Sequence, residues 1–179
     1  MSFDLVLFGG TGDLTWRKLM PSLFQAWRHG KLPSGGRILA VARDDRDDAS
    51  YRTWLHERLQ AAESAKRPTE DEYTQFAQRV HYLRMDLSQA ADYARLSAWL
   101  GTRPGGVPAD TVVMYLATSP HLFPVICERS SCTTLFASAT ISTSSGSIMN
   151  VPSSIRDTLR SAATSVAVCS SSPSNKSTH

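Results

Sequence analysis

The chain has 179 residues, of which 41% are hydrophobic and 20% charged, with a formal net charge of +3. That is the make-up of an ordinary globular chain of one domain, two at most. No run approaches the roughly 18 consecutive apolar residues of a membrane span, and Met1 leads straight into a strand pattern without a secretory leader, so a cytoplasmic protein with no membrane contact is expected. Arginine outnumbers lysine 15 to 4, yet charges of both signs are interspersed and form no basic stripe of the kind nucleic-acid binders carry. Cys127, Cys132 and Cys169 make an odd count without ligand spacing, so neither a disulfide framework nor a metal site is expected.

In chain order, Asp4 to Phe8 is a short apolar run ending at Gly9 and Gly10, which predicts a strand buried on both faces. From Asp13 to Arg28 the residues Leu14, Leu19, Leu23, Phe24 and Trp27 recur at helical spacing, with Gly30 placed as a C-terminal cap. Pro21 inside this helix should kink it or remove one backbone bond. Arg37 to Ala42 predicts a second strand, and Ser50 to Ala62 a helix. Thr69 to Arg79 predicts another, opening with a cap and first-turn acids from Thr69 to Glu72. Val80 to Met85 then reads as a strand, Ser88 to Leu100 as a helix and Thr111 to Ala117 as a fourth strand. This alternation predicts a parallel sheet with right-handed crossovers and flanking helices.

The composition changes near Cys127. Ser plus Thr make up 16 of the first 126 residues but 23 of the last 53, while every Trp and Tyr lies before the change. Residues 1–126 are therefore expected to form the domain, and 127–179 a low-complexity tail. Polar tracts such as Ser142 to Ser147 and Ser170 to Ser177 bury too little surface to offset their ordering entropy. A disordered extension, a serine-rich linker and the product of a shifted reading frame all fit the tail. The break falls inside a predicted helix and not at a linker, which favours the third.

Where the first strand hands over to the first helix stands Gly9-Gly10-Thr11-Gly12-Asp13-Leu14. Glycines there let the backbone approach a pyrophosphate, and the unpaired N–H groups at the helix start stabilise its charge. The third glycine of the G-x-G-x-x-G fingerprint is missing, and a tight turn without phosphate would use the same glycines. A P-loop would need Gly-Lys-Ser or Gly-Lys-Thr where Asp13 and Leu14 stand, so nucleotide triphosphate hydrolysis is disfavoured. Arg17 and Lys18 read equally as phosphate contacts or as solvated helix charges. At the end of the second strand Arg43 takes the place where a lone acid would favour NAD, and its guanidinium can hold the 2′-phosphate of NADP by two parallel hydrogen bonds. Asp44 beside it leaves dual specificity open, and an exposed loop arginine is the alternative. After the fourth strand, Ala117 is small enough to admit a nicotinamide ribose, and Phe123 can wall the ring or belong to the core.

Taken together these segments resemble the bacterial glucose-6-phosphate dehydrogenases, NADP-linked enzymes with a Rossmann-like domain. The resemblance covers about residues 3–126. It rests on Phe8 to Leu14 followed by Arg17-Lys18-Leu19-Met20-Pro21-Ser22-Leu23, on Ala42-Arg43, on Met85-Asp86-Leu87, and on Tyr115-Leu116-Ala117-Thr118-Ser119-Pro120. It implies that Gly9, Gly10, Thr11, Gly12, Asp13, Leu14, Thr15 and Trp16 surround the pyrophosphate and that Arg43 holds the 2′-phosphate. Asp86 and Leu87 would flank the adenine or ribose side, and Ala117 and Phe123 the nicotinamide side.

In that family glucose 6-phosphate gives a hydride from C1 to NADP⁺ while a histidine held by an aspartate takes the hydroxyl proton, yielding 6-phosphogluconolactone. The family's Glu-Lys-Pro-x-Gly and Asp-His-Tyr-Leu-Gly-Lys segments and its base histidine are not found in this sequence. His81-Tyr82-Leu83 is only a fragment of the second and lies in a predicted strand, so no catalytic residue is assigned. The expectation is a truncated, NADP-binding piece, with glucose 6-phosphate and homo-oligomerisation belonging to the intact enzyme. Loss of a general base alone costs about 10²- to 10⁴-fold. An extended short-chain reductase is the other enzyme reading, but no Tyr here is followed by Lys four residues on. A nucleotide-binding or interaction module without turnover is the non-enzymatic one. A sheet cut after four strands would also leave an open edge.

Overall fold

A computed structural model of the chain describes residues 2–61, 67–103, 109–132, 140–143, 157 and 167–171. Its centre is four parallel strands, β1 (Ser2–Phe8), β2 (Gly35–Ala42), β3 (Val80–Arg84) and β4 (Thr111–Leu116), lying in the order β3-β2-β1-β4. The connecting helices are α1 (Met20–Arg28), α2 (Asp48–Gln60), α3 (Glu70–Ala77) and α4 (Ala90–Gly101), and α5 (Phe123–Cys132) follows β4. This is the predicted Rossmann-like alternation.

The apolar runs of the strands are explained by burial on both faces. Leu5 and Leu7 of β1, Ile38 and Ala40 of β2, and Val113 and Tyr115 of β4 pack with Leu23, Phe24, Leu55 and Phe76. Their strand neighbours Val6, Phe8, Leu39, Val41, Met114 and Leu116 pack on the opposite side with Tyr93, Leu96, Leu100 and Ile126. With a period of two along each strand, a continuous hydrophobic run serves two helical layers. Each large side chain so buried contributes about 1.5–3 kcal/mol.

Local signals account for most helix ends. Asp47 caps α2 by accepting from the Ser50 N–H at 2.8 Å, and Thr69 caps α3 in a reciprocal box with Glu72. Gly30, at φ +66°, ends α1: its N–H reaches Trp27 O at 2.9 Å and that of Lys31 reaches Ala26 O at 2.8 Å, the paired bonds of a left-handed glycine stop. The first helix differs from the expectation. Thr15–Leu19 is a π-helical turn, closed by the Met20 N–H on Thr15 O, and α1 proper starts at Met20. The wider turn places Pro21 in the first turn of α1, where its missing N–H costs little, so the proline is accommodated by changing the helix type.

The expected boundary at 126 falls inside α5. Beyond it, β5 (Thr140–Thr143) and β6 (Ala167–Ser171) extend the sheet to the order β3-β2-β1-β4-β6-β5. β6 runs antiparallel to β4, with Val112 opposite Ser171 and Tyr115 opposite Val168. The edge of β4 expected to be open is thus paired. The remainder of the two serine tracts, residues 144–147 and 172–177, lies outside the described residues.

One carboxylate interrupts the apolar core. Asp4 of β1 is fully buried and receives Arg37 through both oxygens, at 2.8 and 2.7 Å, and Arg103 at 2.6 Å. The Arg37 guanidinium also lies 4.0 Å over the Trp99 ring. Asp4→Asn would leave two guanidinium groups facing each other without an anion. A loss of about 3–5 kcal/mol in urea unfolding is expected, and a loss below about 1 kcal/mol would contradict this role.

A second ion pair joins α1 to α3. Glu72 takes Arg28 at 2.9 and 2.7 Å and the Thr69 N–H at 2.9 Å, and the guanidinium chiefly holds its carboxyl down to about 2 from the usual 4.5. A depressed acid contributes stability above its ordinary range and loses it as pH falls towards the folded value. Thermal melts between pH 4.5 and 2 should therefore fall less steeply for Glu72→Gln than for the unsubstituted chain.

Candidate functional site

The sheet order 3-2-1-4 reverses direction between β1 and β4, so the carboxyl ends of these two strands open a crevice of the kind that holds ligands in open α/β sheets. The glycine-rich turn occupies that end of β1. Gly9 sits at φ +89°, and a Cβ there would lie 2.4 Å from the carbonyl oxygen of Ala117. A Cβ on Gly10 would come within 2.7 Å of the Ala40 Cβ. Both positions therefore exclude side chains, for conformational and steric reasons at the first and steric ones at the second.

Hydrogen bonds fix the turn from all sides. The N–H groups of Gly9 and Gly10 both reach Val41 O at 2.9 Å, and that of Gly12 reaches Gly9 O at 2.9 Å. The buried Thr15 donates its hydroxyl to Gly9 O at 2.8 Å, and the Tyr51 hydroxyl of α2 donates to Gly10 O at 2.7 Å. Burial raises the Tyr51 phenol well above its ordinary value, so it stays protonated as this strut. The N–H groups of Thr11, Asp13 and Leu14 have no protein acceptor among the described residues. They stand where the first helical turn begins, and are available to an anion.

The predicted site residues all lie at the carboxyl ends of the parallel strands, though they do not all face the crevice. Asp13 is exposed and pairs with Arg17 at 3.2 Å, which favours a helix-surface role for that arginine; Lys18 is exposed. Leu14 packs against the first core cluster, and the hydroxyl of Thr15 is taken up by the turn itself. Trp16 is half-buried with the Arg58 guanidinium 4.9 Å over its ring. Leu87 and Phe123 pack against the second cluster.

Arg43 follows the last residue of β2 and is exposed, with no hydrogen bond or ion pair among the described residues. Asp86, just beyond β3, accepts from the N–H and hydroxyl of Ser88, at 2.9 and 2.8 Å. Those bonds chiefly hold its carboxyl low, with Arg43 close enough to add to the effect. His81 lies in β3 with Nδ1 3.1 Å from an Asp48 carboxylate oxygen.

Sequence reasoning did not give the contacts of Asp44, Tyr82 and Thr118. Asp44 accepts the Thr11 hydroxyl at 2.6 Å, and its carbonyl accepts the Tyr82 hydroxyl at 2.8 Å, so the acid beside Arg43 is tied back onto the turn. Tyr82 stacks on Tyr51 with centroids 4.8 Å apart. Thr118, two residues beyond β4, lies against Gly9: its Cγ2 is 3.4 Å from where a Gly9 Cβ would stand. These contacts span tens of residues or more in sequence, and no local pattern announces them.

Comparison with known proteins agrees with this geometry. Residues 6–144 match the glucose-6-phosphate dehydrogenase, NAD binding domain family, a match that reaches past position 126. The glucose-6-phosphate 1-dehydrogenase of Mycolicibacterium smegmatis is 39% identical over 124 residues, 69% of this chain and 25% of that protein. That of Aggregatibacter actinomycetemcomitans is 33% identical over 125 residues, again 69% and 25%. The crystal structure of the Mycobacterium avium enzyme superposes with a TM-score of 0.61 at 26% identity, covering 72% of this chain and 26% of that one. The chain thus spans about a quarter of the length of the relatives it matches. These findings bear out the resemblance drawn from the turn and the expectation of NADP as coenzyme. With most of its length matched and the turn and crevice in place, the chain belongs to the glucose-6-phosphate dehydrogenase family, of which it carries the NAD binding domain.

Proposed function

We propose that this chain binds NADP⁺ across the crevice between β1 and β4, with its pyrophosphate on the turn from Gly9 to Leu14 and its 2′-phosphate on Arg43. One observation carries the reading: the turn excludes a Cβ at Gly9 and Gly10 while leaving N–H groups of Thr11, Asp13 and Leu14 without protein acceptors. Such a cradle fits an anionic diphosphate and has no use for a bulkier wall. Asp86 stands on the adenosine side, and Ala117 closes the nicotinamide end of the crevice.

Arg43 presents its fork to solvent while Asp44 is held by Thr11. The neighbouring acid is therefore occupied, which supports NADP⁺ over NAD⁺. Bound NADP⁺ is a hydride acceptor, and the reaction in which the whole family enzyme uses it is oxidation of glucose 6-phosphate at C1. This chain's own part is to bind and orient the coenzyme. It carries none of the segments assigned to the sugar phosphate or to proton removal, and orientation of the two reactants is most of what such a transfer needs. The reading is a coenzyme-binding piece without turnover of its own.

Titration with NADP⁺ tests it. Arg43→Ala should weaken NADP⁺ binding about 10- to 100-fold, as expected for lost charge-assisted hydrogen bonds, and leave NAD⁺ binding unchanged. Equal affinities for both proteins would remove the 2′-phosphate assignment.

A coupled spectrophotometric assay of the purified chain with glucose 6-phosphate and NADP⁺ should give no NADPH above background. Steady turnover would show that the proton acceptor is present after all.

A further inference from the structure

β3 stands at the end of the sheet order, so one side of its main chain has no neighbouring strand among the described residues. The ladder with β2 identifies the groups on that side. The Ile38 N–H reaches Arg79 O and the Met85 N–H reaches Ala42 O, both at 2.8 Å, with Ile38 opposite Val80 and Ala42 opposite Arg84. By alternation, the N–H and C=O groups of Val80, Tyr82 and Arg84 point away from the sheet. An edge of this kind is a template for pairing with another chain.

Three side chains meet those outward groups. Asp48, in the first turn of α2, accepts the Tyr82 N–H at 2.6 Å, and Arg52, one turn further on, donates Nε to Val80 O at 2.8 Å. Arg95 of α4 donates to Arg84 O at 3.0 Å. The clasp is braced by its own contacts: Arg52 pairs with Asp48 at 3.3 Å, and Arg95 with Asp92 at 3.2 Å. Since α2 and α4 pack on opposite faces of the sheet, the clasp reaches round the edge from both sides.

We infer that this clasp keeps the chain from pairing β3 edge to edge with a second copy of itself. An antiparallel, two-fold pairing centred on Tyr82 would exchange both of its main-chain bonds with the same residue of the second copy and set Val80 against Arg84. The Tyr82 N–H, Val80 O and Arg84 O that such a pairing needs are the groups the clasp already holds. A second strand would have to displace two guanidinium groups and a carboxylate to reach them. Nothing in this depends on the coenzyme reading.

The test is sedimentation of the full chain across a range of concentrations. With Asp48→Ala, Arg52→Ala and Arg95→Ala combined, the apparent mass should double as concentration rises, under conditions where the unsubstituted chain keeps its mass. Adding Arg84→Pro should undo that doubling. The Arg84 N–H faces outward, so a proline there leaves the ladder with β2 intact and blocks only the edge, at the loss of an exposed pair with Asp45. Should the triple variant lose its fold by circular dichroism, Asp48→Ala alone carries the test, since it frees the Tyr82 N–H. In dilute solution its Tyr82 amide should then exchange hydrogen about 10-fold faster. A folded variant that associates no more than the unsubstituted chain, or association that Arg84→Pro leaves unchanged, would overturn the inference. So would an unsubstituted chain whose own association Arg84→Pro abolishes.

Discussion

The arrangement depends on one close approach. The turn after β1 is pressed against the end of β4 so tightly that the space between Gly9 and the Ala117 carbonyl holds no side-chain carbon. From this follow the positive φ of Gly9, the Thr15 hydroxyl bond that closes the turn, and the start of the helix with its unpaired N–H groups towards the crevice. A parallel pair cannot be joined by a hairpin, so its two carboxyl ends meet only because the intervening chain, with β2, β3 and their helices, folds back. The candidate site is therefore a property of the sheet, although most of its atoms belong to one short loop.

Around that contact the structure separates two kinds of polar group. Some act inside the protein: Tyr51 supports the Gly10 carbonyl, and Tyr82 and Thr11 hold Asp44. Stacked guanidinium and indole groups, with Arg58 over both Trp16 and Trp54 and Arg46 over Trp54, fasten α2 beside the turn. Others face outward: the N–H groups of the turn and the fork of Arg43. An adjacent Arg and Asp would partly cancel if both faced the same ligand; tying the carboxylate to Thr11 keeps the two apart.

The tail raises a different physical question. Once β4 is in place, its outer N–H and C=O groups need a partner, and an exposed edge invites association with another chain. In this structure β6 supplies that partner in the antiparallel sense. A parallel continuation would require a covering crossover, whereas the antiparallel arrangement needs only backbone complementarity. The serine-rich composition of Ala167–Ser171 is no obstacle to such pairing, since ladder bonds are made by the main chain.

The sequence by itself determined the order and type of the elements in the first 126 residues, because burial on both faces writes continuous apolar runs and helix packing writes a three-to-four spacing. It also announced the glycine turn, the Thr69 to Glu72 cap as a helix start, and Arg43 at the end of β2, since each depends on residues close together in the chain. Only the tertiary structure decided that Leu14 and Phe123 pack into the core, that Thr15 serves the turn, and that Asp13 pairs with Arg17. The π-helical turn before Pro21, the arginine clamp on Asp4, the placing of Thr118 and the pairing of β6 likewise lay beyond local reading. The clamp on Asp4, the placing of Thr118 and the pairing of β6 are set by groups distant in sequence, and the π-helical turn by a choice between helix types of similar energy. The Thr15 and Asp13 contacts are short in sequence, but which way those side chains turn is decided only once the turn is closed against β4.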